Sequence, residues 1–599
     1  MAARLTRAEV PVHETWNLND LFATFGAWEA ALAAVEADLP FVTQYQGRLG
    51  EGPEVLLACL DAYEALITRV YRVATYAELL ASGDGSATAN QAALARVDSM
   101  LAEGRAALSF LRSELLTLPA GTIERYLAAE PKLAAFKRYL ERLLVEKPHL
   151  LHPETEVALA SLGEVTGAPY MIYSRAKSSD MTFANVLDAE GREHANSLAL
   201  YEDLLEDAPD VTLRRNAFAS FIKGLTAHKN TFAATFATEV KKNVVLARLR
   251  KYPSATHMLL EPQEVDVEAY NTLHDVIQTE LAPHMRRYAQ LRKRVLGLEK
   301  MLYCDIEAPL DPAYSPEVSF DEARTLVLDS VSVLGAEYRR ILEAAFTDRW
   351  VDRTDNVGKA TGAFCAGAYG VHPFVLMTFT GAMRGVFTLA HELGHAGHSV
   401  LSERKQRPLN VEPSLFFIEA PSTISELLLG QHILAKSTDN RMRRWVVMQF
   451  LATYHHNFVR HLLEGELQRR IYALAEAGQP VTAATLCQTK GDILERFWGG
   501  EVVIDEGAKL TWMRQPHYYM GLYPYTYSAG LTLATAVAQA IRTEGQPAVN
   551  RWLQTLEAGG TLGPLELAKL AGVDMSGPAP FRKAVAYVGS LIDELERSF

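Results

Sequence analysis

The chain has 599 residues, 49% hydrophobic and 22% charged, with a formal net charge of −13. This is the composition of a soluble globular protein able to bury a large core, and its acidity argues against nucleic acid or an anionic membrane as partner, since both need a basic footprint. Four dispersed cysteines, Cys59, Cys304, Cys365 and Cys487, form no CxxC pair, which excludes a zinc ribbon and a disulfide scaffold and predicts reduced thiols in a reducing compartment.

The opening stretch, MAARLTRAEVPVHETWNLND, has no apolar h-region. The longest apolar run, Pro373 to Met383, is too short to span a bilayer and is followed by Arg384. A cytoplasmic, unexported protein without membrane partners is expected.

Helical periodicity dominates. Apolar residues recur at three- and four-residue spacing over 26–46, 54–82, 87–117 and 122–146. Pro148 and Pro153 punctuate KPHLLHPETE; a polar stretch lies around Ser178–Asp188, and helical pattern resumes over 196–206 and 211–246. Pro309, Pro312 and Pro316 make 307–317 a linker or extended loop. Ser319 with Glu322 forms a capping-box pattern that opens a helix to about Phe346. Between Val357 and Thr380, glycines alternate with small and aromatic residues and Pro373 precedes a β-prone Phe-Val-Leu-Met-Thr-Phe, which predicts a small sheet or hairpin. Helices resume at Val386 and continue, with breaks, to the end. The aromatic segment Trp512–Tyr527 reads as a loop covering something.

His391-Glu392-Leu393-Gly394-His395 is an HExxH motif inside VFTLAHELGHAGHSVLS, a plausible helix. On a helix the two histidines stand one turn apart on one face and can share a zinc ion, while Glu392 reaches a water without ligating. Zinc acidifies the water and the carboxylate takes its proton. A third protein ligand is needed. The metzincin pattern is excluded, because His398 and Leu401 stand where it has glycine and histidine. A glutamate from the next helix is the other common solution. SLFFIEAPSTISELLLGQHILAK after Pro413 reads as that helix, with Glu419 among Phe416, Phe417, Ile418 and Ala420. An acid so surrounded wants a cation. Glu426, seven residues on, could accept the ring N–H of a ligating histidine, or stand as a solvated acid. His398 is read as a supporting or core histidine, since one helix cannot easily wrap three ligands around a tetrahedral ion.

HELGHAGHS followed by FFIEAPSTISE resembles the M3 metallopeptidases, the thimet oligopeptidase group, and the match looks closest to bacterial oligoendopeptidase F. PFVLMTFTG before the motif, the early WNLNDLF and the late WMRQPHYYMGLYPYTYSAG support it. The resemblance implies a mainly α, large, helical, two-lobed zincin-type fold with a small β-sheet beside the active-site helix and a deep central channel. It also implies a zinc endopeptidase that cuts short unstructured oligopeptides and spares folded proteins. Residues 1–200 would form an N-terminal helical domain and 201–599 the catalytic domain. The carried-over metal ligands are His391, His395 and Glu419, for one zinc per chain, with Glu392 as base. A late-loop histidine and tyrosines that hold the substrate carbonyl match His517, Tyr523 and Tyr527, with Tyr525 a neighbour able to replace either tyrosine. No role is assigned to His455, His456 or His461, each read as a solvated or core histidine.

Two other readings stay open. A carboxypeptidase or dipeptidase would need a cation for the substrate C-terminus, for which Arg514 is the nearby candidate. A peptide-binding protein with structural zinc is disfavoured, because structural sites close with four protein ligands. Phe374–Thr380, as a strand with an exposed edge, could pair with an extended peptide through its backbone.

Overall fold

The computed structural model describes residues 4–599; the first three residues of the N-terminal stretch discussed above lie outside the described residues. The chain is mainly α, with a three-stranded and a two-stranded sheet among the described residues. It resolves into two compact units. One takes the chain up to Leu150, then Pro316–His432 and Val537–Gly572; the other takes Leu151–Ser315, Ile433–Ala536 and Val573–Phe599. The first two crossings fall in the proline-punctuated segments around 148–153 and 307–317. The next two fall within the helices Ala420–Lys436 and Pro524–Glu544, and the fifth follows Gly572.

In the first unit, helices Pro53–Gly83 and Thr88–Thr117 pack as a hairpin. Their apolar stripes bury Leu56, Leu60, Val73, Val97 and Leu111 in a core that also takes Trp16, Trp28, Phe374 and Leu376. Trp28 satisfies its indole N–H on the Val73 carbonyl at 3.0 Å, so the ring is buried without an orphaned donor. Phe374–Leu376 is the middle strand of the small sheet, parallel to Val351–Asp352 and antiparallel to Phe364–Ala366. The hairpin expected from the glycine-rich segment is present. The neighbouring strand Val351–Asp352 carries too short a pattern for sequence to reveal. Beneath it Lys359 donates to Asp352 at 2.7 Å, and also to the carbonyls of Thr354 and Met377 at 2.8 Å. That buried ion pair is fully hydrogen-bonded, as a buried charge requires.

The exposed edge expected at Phe374–Thr380 is corrected: its strand lies between two others, fully buried, and of the two outer strands the buried one is Val351–Asp352 and the half-buried one Phe364–Ala366. A near-continuous apolar run is the pattern of a strand buried on both faces, which is why it occupies the middle. Phe364–Ala366 and Phe374–Leu376 both pack against the helix Met383–Lys405. The start of that helix is tied down by Val318 donating to Gly381 O and Met383 donating to Pro316 O.

In the second unit the 39-residue helix Val211–Leu249 is the central element, with Gly163–Arg175, His461–Glu476 and Ala483–Trp498 packed on it. Asp305, fully buried, is bracketed by Arg214 at 2.8 Å and Arg215 at 2.7 Å.

Candidate active site

The helix Met383–Lys405 carries the whole HExxH motif. Its apolar residues Val386, Leu389, Ala390, Leu393, Ala396 and Leu401 are buried, so the chain has the stripe that fixes which way the histidines face. The segment after Pro413 departs from the continuous helix expected. A short helix Leu415–Ile418 ends at Glu419, and a new one runs from Ala420 to Lys436. Pro421 has no N–H to give to the Phe417 carbonyl, so the first helix cannot run through it. Ser422 and Thr423 then donate to the Glu419 backbone carbonyl at 2.9 and 2.7 Å, and Ser422 also reaches Glu419 Oε2 at 3.1 Å. The Glu-Ala-Pro-Ser-Thr string is thus a local device that holds one carboxylate.

His391 Nε2 lies 3.4 Å and His395 Nε2 3.5 Å from the same oxygen, Glu419 Oε2. Among the described residues this trio is the one group of three or more His, Cys, Asp or Glu whose ligand atoms all lie within 4.8 Å of one another. Two ligand atoms on one tetrahedral zinc stand about 3.4 Å apart, given metal–ligand bonds of about 2.0–2.1 Å, so the donor set fits the ion. The protonation pattern agrees. Glu426 Oε1 accepts from His391 Nδ1 at 2.6 Å, so a neutral His391 presents a bare Nε2 to a carboxylate oxygen. Two lone pairs facing each other need a cation between them. Burial opposes charge on His391, yet Glu419 and Glu426 outweigh it and lift the ring well above the histidine range. Burial would likewise raise Glu419, but the two histidines hold it well below the usual carboxylate range. The pocket is thus built to stabilise positive charge.

Glu392 is 6% exposed. Burial lifts its carboxyl above the ordinary range, against the opposing pull of His391 and His395. Cys365 of the strand Phe364–Ala366 is close enough for the Glu392 charge to add to the burial that raises its thiol. His398 is 5% exposed, its Nε2 has no partner, and burial followed by His395 pulls it down to about 3. It packs edge-on against Phe417 at 5.9 Å, as a core histidine does.

The second unit gathers His517, Tyr523 and Tyr527. His517 sits in a 3-10 turn, Pro516–Tyr519, and Tyr523 directly precedes the helix Pro524–Glu544. The expected aromatic loop is therefore largely helical. His517 stacks on Tyr523 with ring centroids 5.0 Å apart, and Tyr527 OH lies 3.3 Å from His517 Nε2. Tyr523 and Tyr527 bring their ring centroids within 5.4 Å of each other. Tyr525 points the other way: it is buried and its hydroxyl donates to Gln263 Oε1 at 2.8 Å. Tyr518 is buried on Glu464, and Tyr519 bonds Thr235 at 2.8 Å. Arg514, the candidate for a substrate carboxylate, is clamped by Glu206 at 2.6 and 2.9 Å and by Glu202 at 3.2 Å. His455 pairs with Glu307 at 3.0 Å.

A helical chain with two imidazoles of one helix and a carboxylate of the following segment converging beside a buried glutamate has the architecture of a metallopeptidase. Residues 204–587 match the model of peptidase family M3, and residues 114–183 match that of oligopeptidase F. The chain belongs to peptidase family M3. It is 31% identical to oligopeptidase PepF of Bacillus subtilis over 98% of this chain and 88% of the relative. It is 27% identical to group B oligopeptidase PepB of Streptococcus agalactiae over 95% of this chain and 94% of the relative. Among solved structures, oligoendopeptidase-F from Enterococcus faecium superposes with a TM-score of 0.75 at 26% identity, covering 95% of this chain and 98% of that one. A structure from Chlamydophila abortus does so with a TM-score of 0.90 at 27% identity, covering all of both chains. The chain is a peptidase, and no described helix is long and apolar enough to cross a membrane.

Proposed function

We propose that this peptidase is a zinc-dependent endopeptidase that hydrolyses internal bonds of short, unstructured oligopeptides. His391, His395 and Glu419 would hold one zinc ion, Glu392 is the general base, and Glu426 orients His391. The reading rests above all on the two imidazole nitrogens that share the Glu419 oxygen beside a buried Glu392. When bound, zinc supplies a Lewis acid that makes water nucleophilic at neutral pH. Glu392 accepts the proton of the attacking water and returns it to the leaving amine; burial raises its basicity for that task. Glu426 holds the His391 ring by its Nδ1–H, leaving Nε2 free to ligate. His517, Tyr523 and Tyr527 act together on the substrate carbonyl, the phenols as donors. The outer strand Phe364–Ala366 offers its edge to the backbone of an extended peptide, which selects for unfolded chain rather than for sequence.

Engagement of Arg514 by Glu206 and Glu202 favours internal cleavage over capture of a terminal carboxylate. A division of function at about residue 200 and a cytoplasmic setting are part of the same proposal, and the unpaired state of Cys59, Cys304, Cys365 and Cys487 accords with the latter.

The experiment is cleavage of an internally quenched peptide, with and without chelator. Turnover lost on chelation and restored by zinc is expected; cleavage that resists chelation removes the metal from the reaction. Offering the same cleavable sequence as a free peptide and within a surface loop of a stable protein tests the substrate class. Comparable cleavage of both contradicts it.

A further inference from the structure

His456 and His461 have no place in the metal chemistry, yet they join His517 in one hydrogen-bonded row. His456 lies in a π-helical turn, His455–Arg460, and His461 begins the next helix. Five residues along an α-helix separate two side chains by about 140°. The i→i+5 turn of a π-helix instead brings them back to nearly one face. The two rings are accordingly 4.5 Å apart, with His461 Nε2 and His456 Nε2 at 3.3 Å. Gln515, 8% exposed, connects His461 to His517: its Nε2 lies 3.1 Å from His461 Nδ1 and its Oε1 2.5 Å from His517 Nδ1.

The chemistry of each group fixes the protons along this row. An amide oxygen only accepts, so His517 carries its proton on Nδ1. An amide nitrogen only donates, so His461 Nδ1 is bare and its proton is on Nε2. That proton can only go to His456 Nε2, which leaves His456 with a proton on Nδ1, facing Asn457 Oδ1 at 3.2 Å. At the other end His517 Nε2 is a bare acceptor and takes the hydroxyl proton of Tyr527 at 3.3 Å. All three rings are neutral in this pattern. Burial is the main reason: it lowers His456 and His461 and brings His517 down to about 4.

We infer that Gln515 is a positioning residue that, anchored by His461 and His456, locks His517 in its Nδ1–H tautomer and so makes His517 the acceptor that orients the Tyr527 hydroxyl. The single Tyr527 proton goes either to His517 Nε2 or to a substrate carbonyl, so His517 holds the hydroxyl in place in the free chain and the carbonyl takes over its proton on binding. The steering role rests on the proposed contact of Tyr527 with substrate; the tautomer does not.

The test is NMR of the full-length chain with 15N-labelled histidine, the His517 signals being assigned by their loss in His517→Gln. A protonated Nδ1 and bare Nε2 on His517 are expected, and a protonated Nε2 overturns the inference. In Gln515→Leu the tautomers should mix and kcat should fall about 10- to 100-fold with KM within about twofold, as when an imidazole loses the partner that orients it. Gln515→Glu keeps an acceptor for His517 Nδ1–H but has no donor for His461 Nδ1, so the His461 proton should move to Nδ1 while His517 keeps its Nδ1–H and most of kcat is retained. Should Gln515→Leu fail to fold, the wild-type tautomer and Gln515→Glu still decide. Unchanged kcat in a folded Gln515→Leu overturns the steering role. The tautomer is read without substrate, so its outcome is separable from failure of the metallopeptidase mechanism.

Discussion

Gly394 and Pro421 are so close that a Cβ on the glycine would lie 2.5 Å from the Pro421 carbonyl oxygen and 2.7 Å from Ser422 Cα. These are backbone atoms of the segment that carries Glu419, and they cannot rotate away. The glycine inside HExxH is therefore the seat on which the Glu419 segment rests. Gly394→Ala should cost about 1–3 kcal/mol, the usual penalty of overpacking, and should shift Glu419 away from the two histidines. Metal content by mass spectrometry, read beside the melting temperature, checks this: a folded variant with full metal occupancy contradicts the role given to Gly394.

Replacing Glu392 by glutamine keeps the shape of the side chain and removes its basicity. The variant should bind metal as the wild type does while kcat drops about 10²- to 10⁴-fold, the contribution of a positioned base. Zinc titration and turnover on the same preparation are the measurement. Full turnover in the metal-loaded variant would eliminate Glu392 as the base.

Glu419→Ala should lose both metal and activity, whereas His398→Ala should keep the metal, because His398 faces Phe417 in the core rather than the carboxylate cluster. Glu426→Gln, which weakens the hold on His391 Nδ1, should fall between the two, with metal affinity reduced about 10- to 100-fold. If His398→Ala is the variant that comes out metal-free, the ligand assignment is wrong.

Glu403, near the end of the HExxH helix, is buried enough to raise its carboxyl to about 7, with one backbone N–H from Gly370 opposing the shift. A carboxyl raised in the folded state prefers to be neutral there. Its favourable contribution is complete below its unfolded value, near 4.5, and is lost as pH rises through 7. The loss is on the order of 2 kcal/mol. Glu403→Gln should abolish that part of the pH dependence, so the drop in melting temperature between pH 5 and pH 8 should be smaller than in the wild type at the same metal state. Equal drops would show that Glu403 ionises freely in the folded chain.

The sequence by itself determined the helical character, the HExxH helix and the glutamate that completes its trio, because each is written in short-range spacing. Two histidines four apart share a helical face whatever surrounds them, and Glu-Ala-Pro-Ser-Thr carries its own local hydrogen bonds. Proline clusters coincide with two of the five places where the chain passes from one compact unit to the other; the other three fall elsewhere. What only the tertiary structure decided depends on partners distant in sequence. Phe374–Leu376 became a middle strand because two other segments flank it. Tyr525 turned inward because Gln263 accepts its hydroxyl, and Arg514 was withdrawn from ligand binding by Glu206. The histidine row was hidden for a further reason. Helical periodicity puts His456 and His461 on different faces, and only a π-turn, whose formation no local pattern announced, brings them together.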